Sequence, residues 1–390
     1  MEPIMFKACL TAIVRSVTRS GLFPLALVVL AIVFAFSAVV PSQTGSFIYE
    51  APFIKENRLN ILEESLASGA YDTAPQSIQD ANARNLKLLR ITQKGDIAAS
   101  LRAQAELAKS DLEEYESGTL VGDKLMLESK LSFLTRLSAM GDPLLFASTV
   151  DEPMLYHLAG IFGSMPPLLF VAVVVATTHC VLGNLKTGKL AAQFPISPLQ
   201  KQAIGFIAAV FLSVFVLFVA MLPVAVISLV RNGVGDPSYP VVMIQGGEVI
   251  EFTVASALFR SLCMYVLVAL FIAALCSLLF ALTATAAPGC LFALALGFVP
   301  SIPQYFSETF LLRSVLAYLP TTYLYFAAVS GYPSYINVSD MLPVPGAGFE
   351  LGLAVLAGSA ALLLAGVVAV CAFRSSLRQR RGCMAHAHLS

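Results

Sequence analysis

The tract from Phe252 to Pro303 contains one charged residue, Arg260, and no other feature of the sequence restricts the possible folds as strongly. About 20 consecutive apolar residues are enough for a helix to cross a hydrocarbon core of about 30 Å. This tract is too long for one such helix. Its segment from Thr283 to Gly289 ends in a Pro-Gly pair, which typically breaks helices. We therefore predict two membrane spans here, the second a short one from about Gly289 to Pro303.

The composition also favours a membrane protein. Charged residues make up 12% of the chain and hydrophobic residues 57%, whereas an ordinary globular domain has about 25% charged residues. Too few charges remain to cover a soluble surface, which excludes a soluble enzyme, a secreted disulfide scaffold and a disordered chain. The formal net charge is zero, so the chain has no basic field for nucleic acid.

Four further apolar runs raise the predicted number of spans to six: Leu22–Val40, Leu158–Leu182, Gln202–Val230 and Leu351–Phe373. The first run could also be a signal peptide. However, it exceeds the usual apolar region of about 7–15 residues, and no small-x-small cleavage site follows it. The predicted fold class is an all-α polytopic membrane protein, with six transmembrane helices and a large helical extracytoplasmic domain between the first and second.

This prediction divides the chain into five parts: a cytoplasmic amphipathic elbow segment at 1–20, a transmembrane helix at 21–41, an extracytoplasmic helical domain at 42–157, a five-span transmembrane domain at 158–373 and a cytoplasmic basic tail at 374–390. Within the fourth part, residues 304–335 are apolar but interrupted by Glu308, Arg313 and Pro320. We interpret that stretch as interfacial or re-entrant. Its tyrosines suit an aromatic belt at the membrane surface.

Basic residues in short loops predict the orientation. The N-terminal segment, the loop 183–201 and the tail together carry ten basic residues and one acidic residue, whereas 231–251 carries one basic and three acidic residues. We therefore predict a multi-pass protein of the cell membrane with both termini in the cytoplasm.

Residues 42–157 have a helical pattern. Leu59, Leu62 and Leu66 share one face, and apolar residues between Ile97 and Tyr115 step by three or four. We predict about four helices, with an antiparallel hairpin that turns near Gly95. The domain could be a packing module that caps the membrane part, or a lid that senses a substrate or partner.

Two features are candidates for chemistry. Residues Gly183 to Leu190 almost match a Walker A loop, but Leu190 replaces the Ser or Thr that binds Mg²⁺, and the segment follows an apolar helix. Arg260, the one charge within a span, could have a function inside the membrane or extend outward to the interface. We predict no catalytic residue, no metal site and no cofactor, so that the chain is not an enzyme.

The loop between the second and third spans is the most informative segment. It contains Lys186-Thr187-Gly188, then Phe194-Pro195-Ile196-Ser197-Pro198, then Lys201 at the start of the next span. This pattern resembles the type-2 ABC transporter permease family, in which a Thr-Gly stretch leads to a Pro-Ile-Ser turn and a Lys that opens the third span. The layout of one span, a large exterior domain and five further spans is similar to the exporter branch. The chain departs from the family at Asn184, in a region that usually has an acidic residue.

The resemblance implies the permease subunit of an ATP-binding cassette exporter that lacks a nucleotide-binding domain. Its partners would be a separate ATP-binding cassette subunit, a second permease chain as a homo- or heterodimer, and the lipid membrane, with no nucleic acid. The resemblance places coupling to the ATP-binding subunit on one loop: Leu185, Thr187, Leu190, Phe194, Pro195 and Pro198. The alternative function is a non-transport membrane protein whose exterior helical domain senses or binds a partner.

Overall fold

The computed structural model describes residues 3–19, 22–40, 52–92, 96–141, 143, 149–187, 197–245, 247–302, 305, 313–332 and 344–387. Their helices are α1 Pro3–Thr18, α2 Leu22–Val39, α3 Pro52–Ala67, α4 Gln76–Thr92, α5 Ile97–Glu116, α6 Lys124–Ala139, α7 Met154–Ser164, α8 Pro167–Thr187, α9 Pro198–Asn232, α10 Val254–Thr283, α11 Ala287–Phe298 and α12 Phe349–Ala387. Two strands, β1 Pro240–Gln245 and β2 Glu248–Thr253, lie between α9 and α10. Short helical turns at Arg313–Leu316, Pro320–Leu324 and Ala327–Ser330 precede α12.

Four helices are long and apolar enough to cross a membrane: Pro167–Leu185, Pro198–Asn232, Val254–Thr283 and Phe349–Ser376. Helices α1 and α2 pass the same test only as a pair, and they are bent by 68° at the break between them. Helix α11 and the turn after it form a shorter apolar helix, Ala287–Ser301. The described chain is therefore mainly helical, with four helices of the length and composition that a membrane protein needs. The predicted total of six also counted α2 and α11 as spans.

Two helix breaks follow from the local sequence. Helix α10 ends at Thr283, and Ala284 takes the left-handed conformation with φ 58° before α11 begins at Ala287, within the break that the sequence predicts. A second break divides the run that we predicted as one span from Leu158 to Leu182. There Met165 is extended (ψ 142°) between α7 and α8, because a residue before proline is disfavoured in the helical region.

The prediction of an all-α protein is correct only in part, because the described residues include an antiparallel β-hairpin. Strands β1 and β2 pair Val242 with Glu251 and Gln245 with Glu248. Every residue of β1 is buried, whereas Glu248 and Glu251 of β2 are exposed. The long apolar tract therefore begins in a strand, and α10 starts at Val254, capped by the Thr253 side chain.

Helices α3 to α6 form a module that matches the predicted four helices. Leu59, Leu89 and Leu107 make a small core between α3, α4 and α5. A second core joins Leu101 and Leu134 of the module to Val241 of β1 and Tyr156 of α7. The hairpin therefore packs on the module, and the α9–α10 connection lies at the same end of the molecule.

The apolar helices pack around a buried aromatic cluster. The ring of Phe326 lies 5.3 Å from that of Phe170 in α8 and 5.7 Å from that of Phe162 in α7, between ring centroids. Helix α12 runs parallel to α10, because Gly352 lies against Met264 and Gly366 against Leu278. The N-terminal end of α12 therefore lies on the same side as the module.

The predicted aromatic belt is wrong for two of its tyrosines. Tyr305 and Tyr323 are buried within the protein. The Tyr323 hydroxyl donates to the carbonyl of Ala317 at 2.6 Å, and the Tyr305 hydroxyl lies 2.7 Å from that of Thr321. Tyr318 is exposed. Hydropathy alone does not separate a tyrosine that faces lipid from one that completes a protein core.

Candidate functional site

The described members of the predicted coupling set lie at one end of the helix bundle, opposite the module. Leu185 and Thr187 belong to the last turn of α8, and Pro198 is the first residue of α9. Leu190, Phe194 and Pro195 lie outside the described residues.

The start of α9 is fixed by a capping box. The Ser197 hydroxyl accepts a hydrogen bond from the backbone N–H of Gln200 at 3.2 Å, and the Gln200 side chain accepts from the Ser197 N–H at 3.0 Å. Pro198 suits the first helical position, where no N–H is needed. The Pro-Ile-Ser-Pro sequence thus ends in a rigid helix start.

The end of α8 is tied to its neighbours by packing and by a hydrogen bond. The Leu185 side chain fills the space beside Gly205 of α9 so closely that a Cβ at Gly205 would collide with it. Asn184 accepts a hydrogen bond from the Ser16 hydroxyl of α1 at 3.0 Å and donates to the Cys180 carbonyl at 2.8 Å. Asn184 therefore links α1 to α8.

Helix α1 completes this unit. Its residues Cys9, Ile13 and Val17 recur every four positions and are buried, and α1 packs against both α8 and α9. A displacement of the loop flanks would therefore be transmitted to three packed helices together, since packed interfaces deform little.

The described part of the Walker-like segment does not have the geometry of a phosphate loop. Gly183 to Thr187 are helical and continue α8, whereas a P-loop must be a non-helical turn after a strand. Residues 188–190 lie outside the described residues. In the part of the chain that the structure describes, no three His, Cys, Asp or Glu side chains are placed to hold a metal ion.

Arg260 is half-buried near the module end of α10. One of its terminal nitrogens donates to the carbonyl of Val329 at 3.1 Å, and its guanidinium lies 4.8 Å and 4.4 Å from the ring centroids of Phe252 and Phe349. Its Nε is buried and has no hydrogen-bond partner among the described residues. Arg260 therefore joins the hairpin, the turn at 327–330 and the start of α12.

Sequence reasoning missed a polar cluster where the module meets the membrane helices. Glu152 and His157 are 5% and 3% exposed, and His157 Nδ1 lies 3.1 Å from Glu152 Oε2. His157 Nε2 lies 2.9 Å from the Ser37 hydroxyl of α2. Asn232, at the end of α9, donates to the carbonyls of Val150 and Glu152 at 2.7 and 3.0 Å. Glu152 and Ser37 are 115 residues apart in the chain, so no local spacing reveals this cluster.

A cavity of about 320 Å³ lies between α6 and the β-hairpin. Its wall includes apolar Met140, Pro240 and Phe252 together with Arg136 and Glu251. Arg136 Nε donates to Glu251 at 2.8 Å, and the Ser132 hydroxyl also donates to that carboxylate. Both hydrogen bonds lower the pKa of Glu251, and the one from Ser132 has the larger effect.

The comparisons with known proteins identify no relative: no family model, no curated protein and no solved structure matches the chain.

Proposed function

We propose that this chain is the membrane-spanning permease subunit of an ATP-binding cassette exporter. In this proposal α2, α8, α9, α10, α11 and α12 are six spans of a cell-membrane protein, with both termini and the loop 183–201 in the cytoplasm. A separate subunit hydrolyses ATP, and a second permease chain pairs with this one.

The observation that carries the proposal is the packed unit of α1, α8 and α9 at the two described flanks of the loop 183–201. A coupling loop has to pass a push from a docked subunit to several helices at once, and rigid-body motion needs packed contacts. Leu185 against Gly205, the Ser16–Asn184 hydrogen bond and the Ser197 capping box supply such contacts on both flanks.

The alternation of helix directions gives further support. The chain reaches the module end after α2, α9 and α11, and leaves it through α8, α10 and α12. Helix α11 with its following turn spans about 22 Å at 1.5 Å per residue, less than the hydrocarbon core of about 30 Å. The proposal therefore needs the partly buried turns at 313–332 to complete this fifth crossing.

The decisive experiment replaces Phe194, which the resemblance makes the apolar anchor of the docked subunit. Phe194→Ala is expected to reduce co-purification of the ATP-binding subunit about 30-fold or more, since a buried aromatic hot spot commonly contributes at least about 2 kcal/mol. The matched control is the double variant Lys186→Ala with Lys189→Ala, which changes the charge of the same loop. Normal co-purification and normal ATPase stimulation with Phe194→Ala would refute the coupling role.

The orientation is tested separately by thiol labelling in intact cells. Cys9 and Cys383 should react with a membrane-impermeant reagent only after the membrane is opened, whereas a cysteine introduced at Ser100 should react without opening. Labelling of Cys383 from outside would overturn the six-span arrangement.

A second candidate function is favoured by the cavity between α6 and the hairpin. A module with a cavity of about 320 Å³ could bind a partner or small ligand outside the membrane without any transport. This function predicts that Phe194→Ala behaves as wild type and that no ATP-binding subunit co-purifies. The same experiment therefore distinguishes the two functions.

A further inference from the structure

Helix α1 has an apolar face and a basic face on opposite sides. The buried row from Cys9 to Val17 packs against α8 and α9. Lys7, Arg15 and Arg19 are exposed, and the N–H of Arg19 still donates to the Arg15 carbonyl at 3.2 Å, so the helical turn continues to that residue. At about 100° per residue these three side chains span about 120° of the helix circumference, centred opposite the buried row.

The basic face has no acidic partner within the part of the chain that the structure describes. No ion pair among those residues involves Lys7, Arg15 or Arg19, and helix α1 contains no Asp or Glu. The hydroxyls of Thr11 and Thr18, which are also exposed, donate to the carbonyls four residues earlier at 2.7 and 3.0 Å. The groups that can bind an external anion are therefore the three basic side chains.

This face lies at the level of the lipid headgroups. In the proposed arrangement α2 crosses the membrane, and its exposed apolar residues begin at Leu25, six positions after Arg19. The headgroup region is about 5–8 Å deep on each side of the hydrocarbon core. With α2 along the membrane normal, the bend of 68° moves α1 away from the bilayer by only about 0.6 Å per residue. Lys7 is then about 7 Å farther out than Arg19, a distance within one Debye length of about 8 Å.

We infer that α1 is a binding site for anionic phospholipids, whose headgroups bind Lys7, Arg15 and Arg19 at the cytoplasmic surface. Guanidinium groups donate paired hydrogen bonds to phosphate oxygens, and the cytoplasmic leaflet supplies headgroups with a net negative charge. A zwitterionic headgroup has no net charge, so the site distinguishes lipids by their charge. This inference rests on the position of α2 and on the orientation in the proposed function, but not on ATP-driven transport.

Bound lipid holds α1 in its place on the bundle. Ser16 of α1 donates to Asn184 at the end of α8 at 3.0 Å, and Cys9 lies under the helix with 4% of its surface exposed. When the headgroups leave, α1 is held by this hydrogen bond and its apolar face alone, and it separates from the bundle more often. The rate at which a thiol reagent modifies Cys9 therefore reports lipid binding on the opposite face.

The test counts lipid adducts on the full chain in detergent by native mass spectrometry, with added dioleoylphosphatidylglycerol or dioleoylphosphatidylcholine. Wild type should bind phosphatidylglycerol at lower concentrations than phosphatidylcholine. Each basic residue near a membrane surface changes the affinity about fivefold. The triple variant Lys7→Gln, Arg15→Gln and Arg19→Gln should therefore bind phosphatidylglycerol about 100-fold more weakly and phosphatidylcholine as before.

The matched control is the triple variant Lys87→Gln, Arg102→Gln and Lys109→Gln, which removes the same number of exposed charges from the module. It should bind phosphatidylglycerol as wild type does. A second measurement uses wild type alone. Phosphatidylglycerol should slow the reaction of Cys9 with N-ethylmaleimide, and an increase in NaCl from 50 to 500 mM should reverse this protection, because salt screens exposed charges.

Equal affinity of wild type for the two lipids would overturn the lipid site, and so would an equal loss of phosphatidylglycerol binding in the two triple variants. Tighter binding of poly-glutamate than of phosphatidylglycerol to the same face would also overturn it, because that result assigns the face to a soluble acidic partner. Failure of the transport function is seen separately, as normal co-purification with Phe194→Ala, and it leaves these lipid results unchanged.

Discussion

A comparison of Arg260→Lys with Arg260→Met tests whether the charge of Arg260 has a structural or a functional role. The two ring contacts are worth about 0.5–2 kcal/mol each, and the hydrogen bond to Val329 about 1.5–3 kcal/mol. Two costs oppose these gains. The buried Nε without a hydrogen-bond partner costs about 1–3 kcal/mol, and the placement of a cation in an apolar helix costs at most about 2.5–3.5 kcal/mol. Gains and costs nearly cancel.

Methionine keeps an apolar stem and removes both the cation and its costs. We therefore expect Arg260→Met to change the free energy of unfolding by no more than about 1 kcal/mol. Lysine keeps the charge but has no planar group to lie between Phe252 and Phe349. Arg260→Lys should therefore be the more harmful change, by about 2 kcal/mol.

The assay is the unfolding of the detergent-solubilised chain by added SDS, followed by circular dichroism. Cysteine labelling confirms that each variant is inserted in the same orientation. If Arg260 served as a charge in a substrate path, lysine would preserve function and stability better than methionine. That order, Lys close to wild type and Met well below it, would refute the structural role that the contacts assign to Arg260.

Two further predictions concern packing and pH. Phe326→Ala should lower the free energy of unfolding by about 2–3 kcal/mol in the same SDS titration, because its ring contacts those of Phe162, Phe170 and Tyr265 and each contact is worth about 0.5–1.5 kcal/mol. The control Tyr318→Ala, at an exposed site in the same segment, should change it by no more than about 0.5 kcal/mol. Equal effects of the two variants would contradict the buried position of Phe326. Because the folded pKa of Glu251 is lowered, its contribution is present above the unfolded pKa of about 4.3 and is lost as the pH falls through the folded value. The stability measured by thermal unfolding between pH 3 and 6 should therefore depend less on pH in Arg136→Ala than in wild type. The difference in the free energy of unfolding should be less than about 1 kcal/mol, because the pair is exposed. Identical pH profiles would refute the ion pair.

Local sequence was enough for the features that depend on a few neighbouring residues. Apolar runs with at most one charge predicted the long helices α8, α9, α10 and α12, because each polar group placed in lipid adds its own cost. The Pro-Gly pair after Thr285 predicted the break between α10 and α11. Leucine spacing predicted the four helices of the module. The Met165-Pro166-Pro167 break could have been predicted by the same reasoning, since proline acts on the residue directly before it.

Tertiary structure alone decided the features that join distant segments. The β-hairpin at 240–253 packs on the module, and Tyr323 is buried although its segment looks interfacial. Arg260 is held by Phe252 and Phe349, and Glu152 meets Ser37 through His157. Hydropathy assigns the same preference to a residue that faces lipid and to one that faces protein, and hydrogen-bond partners more than 80 residues apart leave no periodic signal. The sequence therefore determined which segments form helices long and apolar enough to cross a membrane, and only their packing decided which polar groups were brought together.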